Sequence, residues 1–359
     1  MRDSVSRPRV GFAGLGWIGR HRMTAVLEAD VVDIVVLADA DVTARDEARV
    51  LVPGSIVVRT FEELLAYQLD GIVLATPSNL HAAQSIAALT AGMAVFCQKP
   101  LGRNAVEVHA VIDAARRANR LLGVDFSYRH TEGLHRIRSM VRDGSIGDVY
   151  AMDLTFHNAY GPGKPWFYDI AQSGGGCLLD LGVHLIDFLH WTIDAPVSAA
   201  SGRLYASGHR LQAAERQVED FAVGDIELST GAVARLACSW KLSAGCDALI
   251  GISIFGTTGG LGFRNVNGSF YDFVAELYRG TETQILCQPP DVWGGRAIVA
   301  WAEQLSRSNA FDPAISVAGR VASTLDQLYS RELVRPTAPG AAFTDSTRRI
   351  PGPIATAER

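Results

Sequence analysis

Apolar residues in the first 130 positions come in short continuous blocks, separated by longer stretches with helical spacing. The blocks Val10–Ala13, Val31–Ala38, Gly71–Ala75, Ala94–Cys97 and Leu122–Phe126 are nearly uninterrupted and predict five strands. Between them, Ile18–Ala29, Phe61–Tyr67, Leu80–Ala91 and Ala105–Ala118 predict helices. Strands that are apolar on both sides and alternate with helices indicate a parallel sheet covered on both faces. Right-handed crossovers then make the sheet doubly wound, a Rossmann-type α/β arrangement. After about residue 150 the rhythm changes. Val149–Phe156, Glu219–Leu228, Ala232–Trp240 and Ala248–Phe255 predict an open, mostly antiparallel sheet, with turns at Gly231 and Gly256–Gly260. One helix, Cys177 to Trp191, interrupts it, and helices over Arg296–Leu305 and Val317–Leu333 follow. The pattern divides the chain into a first domain over 1–128, an α+β domain over 129–335 and an arm or loose tail over 336–359, rich in Pro, Thr, Ala and Gly. No internal repeat is present.

Composition narrows the class. The 359 residues are 48% hydrophobic, 20% charged and 8% aromatic, which excludes a disordered chain, a fibre and a coiled coil. A net charge of −5 argues against a nucleic-acid partner. The longest apolar stretch, around Leu178–Trp191, is broken by Asp180, His184, Asp187 and His190, so no membrane span is expected. The N-terminal MRDSVSRPRV has charge but no apolar core, which reads as a cytoplasmic protein without a signal peptide. Cys97, Cys177, Cys238, Cys246 and Cys287 form no C-x-x-C pair and read as free thiols rather than a disulfide or zinc framework. Only Lys99, Lys164 and Lys241 among the 33 basic residues are lysines, so the position of each is informative.

Three motifs carry chemistry. Gly14-Leu15-Gly16-Trp17-Ile18-Gly19 is G-x-G-x-x-G between a strand and a helix, suited to a pyrophosphate at a helix N-terminus. Asp39 ends the next strand. Its carboxylate suits a ribose hydroxyl and repels a 2′-phosphate, which favours NAD over NADP. Cys97-Gln98-Lys99-Pro100 lies where a parallel strand ends, which places Lys99 at the mouth of the cleft, and a cis Lys99–Pro100 bond would fix its aim. In GGGCLLDLGVHLID, residues Asp180, His184 and Asp187 stand at i, i+4 and i+7, one helix face. That face suits acid–base work, with a carboxylate orienting the histidine. It could also begin a metal site, but further ligands at sensible spacing are missing, so no metal is expected.

Four segments in order resemble the glucose–fructose oxidoreductase / inositol dehydrogenase / rhizopine catabolism (Gfo/Idh/MocA) family: VGFAGLGWIG with Asp39, LATPSNLHAAQSIAALTAGMAVFCQKPLG, GSIGDVY and GGGCLLDLGVHLID. The resemblance implies a Rossmann domain followed by an α/β domain whose open sheet forms homodimer or homotetramer contacts. It implies hydride transfer between NAD(P) and a secondary hydroxyl or ketone of a sugar, cyclitol or polyol. Lys99 matches the lysine that hydrogen-bonds the reacting oxygen, and Asp180 with His184 the acid–base pair. Thr76, Pro77, Asn79 and His81 match the segment lining the cofactor, with His81 a cofactor or capping contact rather than a catalyst. One departure stands out: the usual Glu-Lys-Pro is Gln98-Lys99-Pro100. The amide removes a charge beside Lys99, and Gln98 is expected to touch the nicotinamide end.

For the substrate, Tyr128, Arg129 and His130 follow the fifth strand, and His157, Lys164, Trp166, Tyr168 and Asp169 precede the glycine run. Tyr128, His157 and Trp166 are the candidate substrate contacts, Trp166 as a face for a sugar ring. Lack of an arginine cluster favours an unphosphorylated, hydroxyl-rich molecule. Two alternatives remain open: an enzyme that retains and recycles NAD to assist glycoside cleavage or elimination, and a non-catalytic NAD or sugar sensor.

Overall fold

A computed structural model describes residues 7–212 and 217–330. The tail from 336 and the last residues of the final predicted helix therefore lie outside the described residues. The N-terminal part runs β1 (Arg9–Ala13), α1 (Trp17–Ala29), β2 (Asp33–Ala38), α2 (Val42–Leu51), β3 (Ile56–Val58), α3 (Phe61–Leu65), β4 (Gly71–Leu74), α4 (Ser78–Thr90), β5 (Ala94–Cys97), α5 (Ala105–Ala118) and β6 (Leu122–Val124). Its six strands are all parallel, in the order β3-β2-β1-β4-β5-β6. The order reverses between β1 and β4, and the cleft lies beyond the strand C-termini there. Local signals set the helices. The Asp41 side chain accepts from Thr43 N at the start of α2, Thr60 and Glu63 form a capping box on α3, and Asn104 caps α5.

Two elements here have weak sequence signatures. α2 buries only Ala44 and Ala48, and β3 is three residues long, so neither shows a clear apolar period. The parallel sheet consequently has six strands where the pattern predicts five.

The second part begins with a 3-10 turn, Ser127–His130, then α6 (Glu132–Arg142), β7 (Val149–Asn158), a second 3-10 turn over Pro165–Tyr168 and α7 (Ile170–Ser173). A wide π-type turn, Leu178–Gly182, leads into α8 (Val183–Thr192). Strands β8 (Val197–Ala206), β9 (His209–Arg210), β10 (Phe221–Leu228), β11 (Val233–Ser239), β12 (Ala248–Gly256), β13 (Gly259–Asn265), β14 (Phe273–Arg279) and β15 (Glu282–Cys287) join β7 in a nine-stranded sheet, ordered β15-β14-β13-β12-β7-β11-β10-β8-β9. β7 and β11 pair in parallel and the other neighbours are antiparallel. Alternation is regular. Met152, Leu154 and Phe156 of β7 face the core, with Ala151, Asp153 and Thr155 on the other side.

The two parts are tied together by the C-terminal helices α9 (Arg296–Arg307) and α10 (Ser316–Leu328). α9 returns to the first sheet, where Ile298, Trp301 and Leu305 pack with Val10, Phe12 and Phe96. Gly71 and Gly123 leave room for the Trp301 indole, since a Cβ on either would meet it at 2.9 and 2.8 Å. Truncating such a buried indole to alanine costs roughly 3–5 kcal/mol. α10 packs on α5 and α8, so the linear division at 128/129 does not separate two independent cores.

Candidate active site

The glycine loop joins β1 to α1. Gly14 has φ +88°, and a Cβ there would meet the Ala75 carbonyl carbon and oxygen at 2.4 Å. A Cβ on Gly19 would meet the Gly14 oxygen at 2.1 Å. Both glycines are required by the protein's own backbone. Gly16 differs, because a Cβ there would meet nothing within 4 Å. The space over Gly16, at the N-terminus of α1, is open for a pyrophosphate. Asp39 sits beside it and is partly engaged: Oδ2 accepts from Leu15 N at 2.7 Å and Oδ1 from Asp41 N at 2.9 Å. The carboxylate thus props the glycine loop and keeps lone pairs for a ribose. Trp17 is 63% exposed at the loop, its ring tilted over His21, and Ile18 is partly buried beside it. These residues fit a dinucleotide.

The β4 end adds Thr76 and Pro77, then Asn79 in the first turn of α4, whose Oδ1 is buried without a partner. Thr76 Oγ1 donates to Gln84 Oε1 at 2.6 Å. His81 is not a cofactor contact. It is 1% exposed, and its two ring nitrogens lie 2.7 Å from the carbonyl oxygens of Pro100 and Thr76. It pins the loops after β4 and β5 to each other, the capping role. Gln98 also departs from expectation. Its side chain turns inward, is 7% exposed, and Nε2 donates to Asp125 Oδ2 at 2.5 Å rather than facing a nicotinamide.

Lys99 is partly exposed just past the end of β5. Its peptide to Pro100 is cis. Nζ donates to Asp180 Oδ1 at 2.6 Å and to the Asp180 carbonyl at 2.9 Å. The second Asp180 oxygen accepts from Trp240 Nε1 at 3.1 Å. His184 lies one turn on, flanked by Tyr128 and Phe156 with ring centroids 4.8 and 6.3 Å away. Its Nδ1 is buried without a hydrogen-bond partner. Burial, then the charges of Lys99 and Arg22, hold the imidazole well below its ordinary pKa. The expected orientation of His184 by a carboxylate is absent: Asp180 belongs to Lys99 and Trp240. Asp187 leaves the site, since it is 2% exposed and held by both Arg129 Nε, at 2.6 Å, and Arg129 Nη2. The wide turn over Leu178–Gly182 breaks the simple i, i+4, i+7 register on which the shared face depended.

Among the proposed substrate contacts, Tyr128 stands against His184 and stacks obliquely on Trp293 at 4.8 Å. Trp166 stacks on Phe167 at 3.8 Å, and Phe167 meets the edge of Trp240. His157 points the wrong way. Its neighbour Phe156 faces His184, so the two-residue period of β7 sends His157 to the outer face, where Nδ1 meets Ser239 Oγ at 2.8 Å and the ring stacks on Phe221. Lys164 and Asp169 flank the turn that carries Trp166, and Asp169 caps α7. Tyr168 Oη donates to the Pro162 carbonyl at 3.0 Å, and the His130 ring meets His135 edge-on. Sequence reasoning missed Trp240 and Trp293. Trp240 marked only the end of a predicted strand, and Trp293 lies outside every periodic segment.

Residues 8–126 match the family described as "Oxidoreductase family, NAD-binding Rossmann fold", and residues 134–262 match the GFO/IDH/MocA C-terminal domain. The chain belongs to the Gfo/Idh/MocA family. Similar family members include 1,5-anhydro-D-fructose reductase of Ensifer adhaerens, 30% identical over 58% of this chain and 61% of that protein. D-glucoside 3-dehydrogenase of Escherichia coli K12 is 28% identical over 55% of this chain and 59% of its own length. The chain thus spans less than two thirds of these curated relatives. A solved levoglucosan dehydrogenase with NADH and levoglucosan superposes with a TM-score of 0.78 at 21% identity, over 90% of this chain and 97% of that one. It establishes the Gfo/Idh/MocA fold in both parts of this chain. No helix among the described residues is long and apolar enough to cross a membrane.

Proposed function

We propose that the protein is an NAD-dependent oxidoreductase acting at a secondary hydroxyl or ketone of an unphosphorylated sugar, cyclitol or related polyol. The observation that carries this reading is the Lys99–Asp180 hydrogen bond with His184 one turn on, near enough to feel the Lys99 charge, in a chain whose glycine loop is open over Gly16. Gly14, Gly16, Trp17, Ile18 and Gly19 would hold the dinucleotide pyrophosphate, and Asp39 the adenosine ribose. Bound NAD would supply the hydride acceptor. Asp180, fixed by Trp240, aims the Lys99 ammonium, which donates to the reacting oxygen and stabilises negative charge developing there. His184 is kept unprotonated at neutral pH by burial and the Lys99 charge. It is therefore ready to take the hydroxyl proton in oxidation, and it returns that proton in reduction. Tyr128 and Trp293 wall the space beside His184 and exclude water, and the Trp166–Phe167–Trp240 group offers aromatic surface to a ring.

The similarity to sugar and glucoside oxidoreductases supports this substrate class. The test is NADH formation, followed by its absorbance, over inositols, free sugars, sugar acids and glycosides with NAD and NADP in parallel. Turnover with one class fixes the substrate. Silence across the panel, with NAD carried through purification, refutes a freely exchanging dehydrogenase and transfers the reading to a recycled cofactor. Assembly through the outer face of the nine-stranded sheet, as a homodimer or homotetramer, belongs to the same proposal and is read by solution mass.

A further inference from the structure

Beneath Lys99 lies a buried ion pair that the proposed chemistry does not use. Arg22 of α1 is 5% exposed and Asp125, just past β6, is 1% exposed. Arg22 Nε and Gln98 Nε2 both donate to Asp125 Oδ2, each at 2.5 Å. Asp125 Oδ1 is buried with no partner, and Asp125 N donates to the Cys97 carbonyl at 2.9 Å. One carboxylate therefore gathers the nucleotide-binding helix, the end of β6 and the residue immediately before Lys99. The other titratable groups whose charge state feels this carboxylate are His21, whose Nδ1 is 2.9 Å from Arg22 Nη1, Cys97 and His130. The Arg22 charge also reaches His184.

We propose that Asp125, with Arg22 as its counter-ion, is a positioning residue for Lys99, and that residue 98 is an amide because Asp125 is the acid. The proposal rests on the catalytic reading of Lys99. Gln98 donates where Asp125 accepts. A glutamate at 98 would set two carboxylates at hydrogen-bond distance with one guanidinium between them. Two like charges that close do not both stay ionised, so the pair retains a proton or comes apart. Exchanging the two groups restores one donor and one acceptor: with Q98E and D125N together, the carboxylate sits at 98 and the amide at 125.

The experiment compares Q98E, D125N and Q98E/D125N in the full chain. The readouts are the pH profile of kcat, NADH binding by fluorescence and thermal unfolding against pH. Each single change is expected to lower kcat about tenfold or more at neutral pH while NADH affinity moves less. Q98E adds an ionisation to the kcat profile. The double change returns kcat to within about threefold of the wild type, a non-additivity that marks residues 98 and 125 as one unit, while the pH dependence separates charge from packing. Stability reads the network without turnover. The coupled carboxyls of Q98E are protonated in the fold above their unfolded pKa, so the Q98E deficit grows as pH rises from about 4 to 8 and disappears in the double change. A pH-independent Q98E deficit, or a double change whose loss equals the two single losses combined, overturns the proposal. Absence of wild-type turnover with every substrate refutes the hydride-transfer reading alone, because the unfolding series still decides the network.

Discussion

Gly16 and Gly19 stand three residues apart in the same loop, and the structure assigns them opposite reasons for being glycine. At Gly16 the backbone is at φ −63° and ψ −175°, which alanine adopts freely, and a Cβ meets no protein atom within 4 Å. Gly16→Ala is expected to leave the stability of the ligand-free protein within about 1 kcal/mol of the wild type. Its methyl group occupies the space over the N-terminus of α1 where a pyrophosphate must approach the backbone. NAD affinity should fall at least tenfold, about 1.4 kcal/mol. With NAD at roughly 100 times the wild-type Kd, the wild type gains about 2.7 kcal/mol of stability and a tenfold weaker binder only about 1.4. Gly19→Ala behaves in the reverse way. Its Cβ meets the Gly14 oxygen at 2.1 Å, a backbone atom that cannot move aside without unwinding the loop. It should lose 1–3 kcal/mol or more, by the usual range of about that size for overpacking, with or without ligand. Thermal unfolding of both variants, with and without NAD, separates the two effects. Full NAD-dependent stabilisation of Gly16→Ala, or wild-type stability of Gly19→Ala, would refute the reasoning.

Asp39→Ala should narrow the preference for NAD over NADP, measured as the ratio of kcat/KM values, and should also cost about 1 kcal/mol because Leu15 N and Asp41 N lose their acceptor. An unchanged cofactor ratio would show that Asp39 does not read the ribose. Acid should destabilise the protein before its carboxylates titrate. Burial lowers the pKa of His184, and takes those of His130 and His190 down to about 4. The unfolded chain binds these protons near pH 6.5 and the folded chain does not, so stability is full above about 6.5 and falls toward 4, by up to about 1.4 kcal/mol per pH unit for each histidine. A flat unfolding temperature from pH 7 to 5 would contradict the buried, neutral histidines.

The parts of the fold that announce themselves in the sequence are those with strong periodicity and motif context. β1, the glycine loop, α1 and Asp39 follow one another with fixed offsets, and Lys99 is marked by its scarcity and its place after β5. The second sheet is less legible for a physical reason. β8 is an outer strand carrying Ser198, Ser201 and Gly202, β13 opens on two glycines, and β15 is an exposed edge, so none shows a clean alternation. Residue spacing also misleads at the site. Asp180, His184 and Asp187 share a face only on a regular helix, and the wide turn over Leu178–Gly182 removes that premise. His157 fails because one residue along a strand reverses the face. Trp240, by contrast, satisfies the same parity as Cys238 and could have been placed inward from the strand pattern alone.

Lys99 and His184 are coupled more closely than the acid–base pairing read from the helix spacing. Asp180 spends one oxygen on Lys99 and the other on Trp240, so it does not raise the proton affinity of His184. The imidazole instead faces Tyr128 and Phe156, and with them it lines a void of about 10 Å³ closed by Leu134, Ile250, Ile252 and Phe263 among others. Burial is the largest cause of the low pKa and the Lys99 charge the second. Lys99→Met keeps the stem and removes the charge, so it should act twice. Turnover should fall by about 10²–10⁴-fold because the reacting oxygen loses its donor, while NAD affinity stays within about threefold. His184 should also titrate at a higher pH than in the wild type, though still below the ordinary histidine value because burial persists. The second effect is read by NMR titration of the His184 ring, assigned by its loss in His184→Gln. A large loss of turnover with an unmoved His184 titration would mean that Lys99 acts on the substrate alone. An unmoved titration with wild-type turnover would remove Lys99 from the chemistry and from the field at His184.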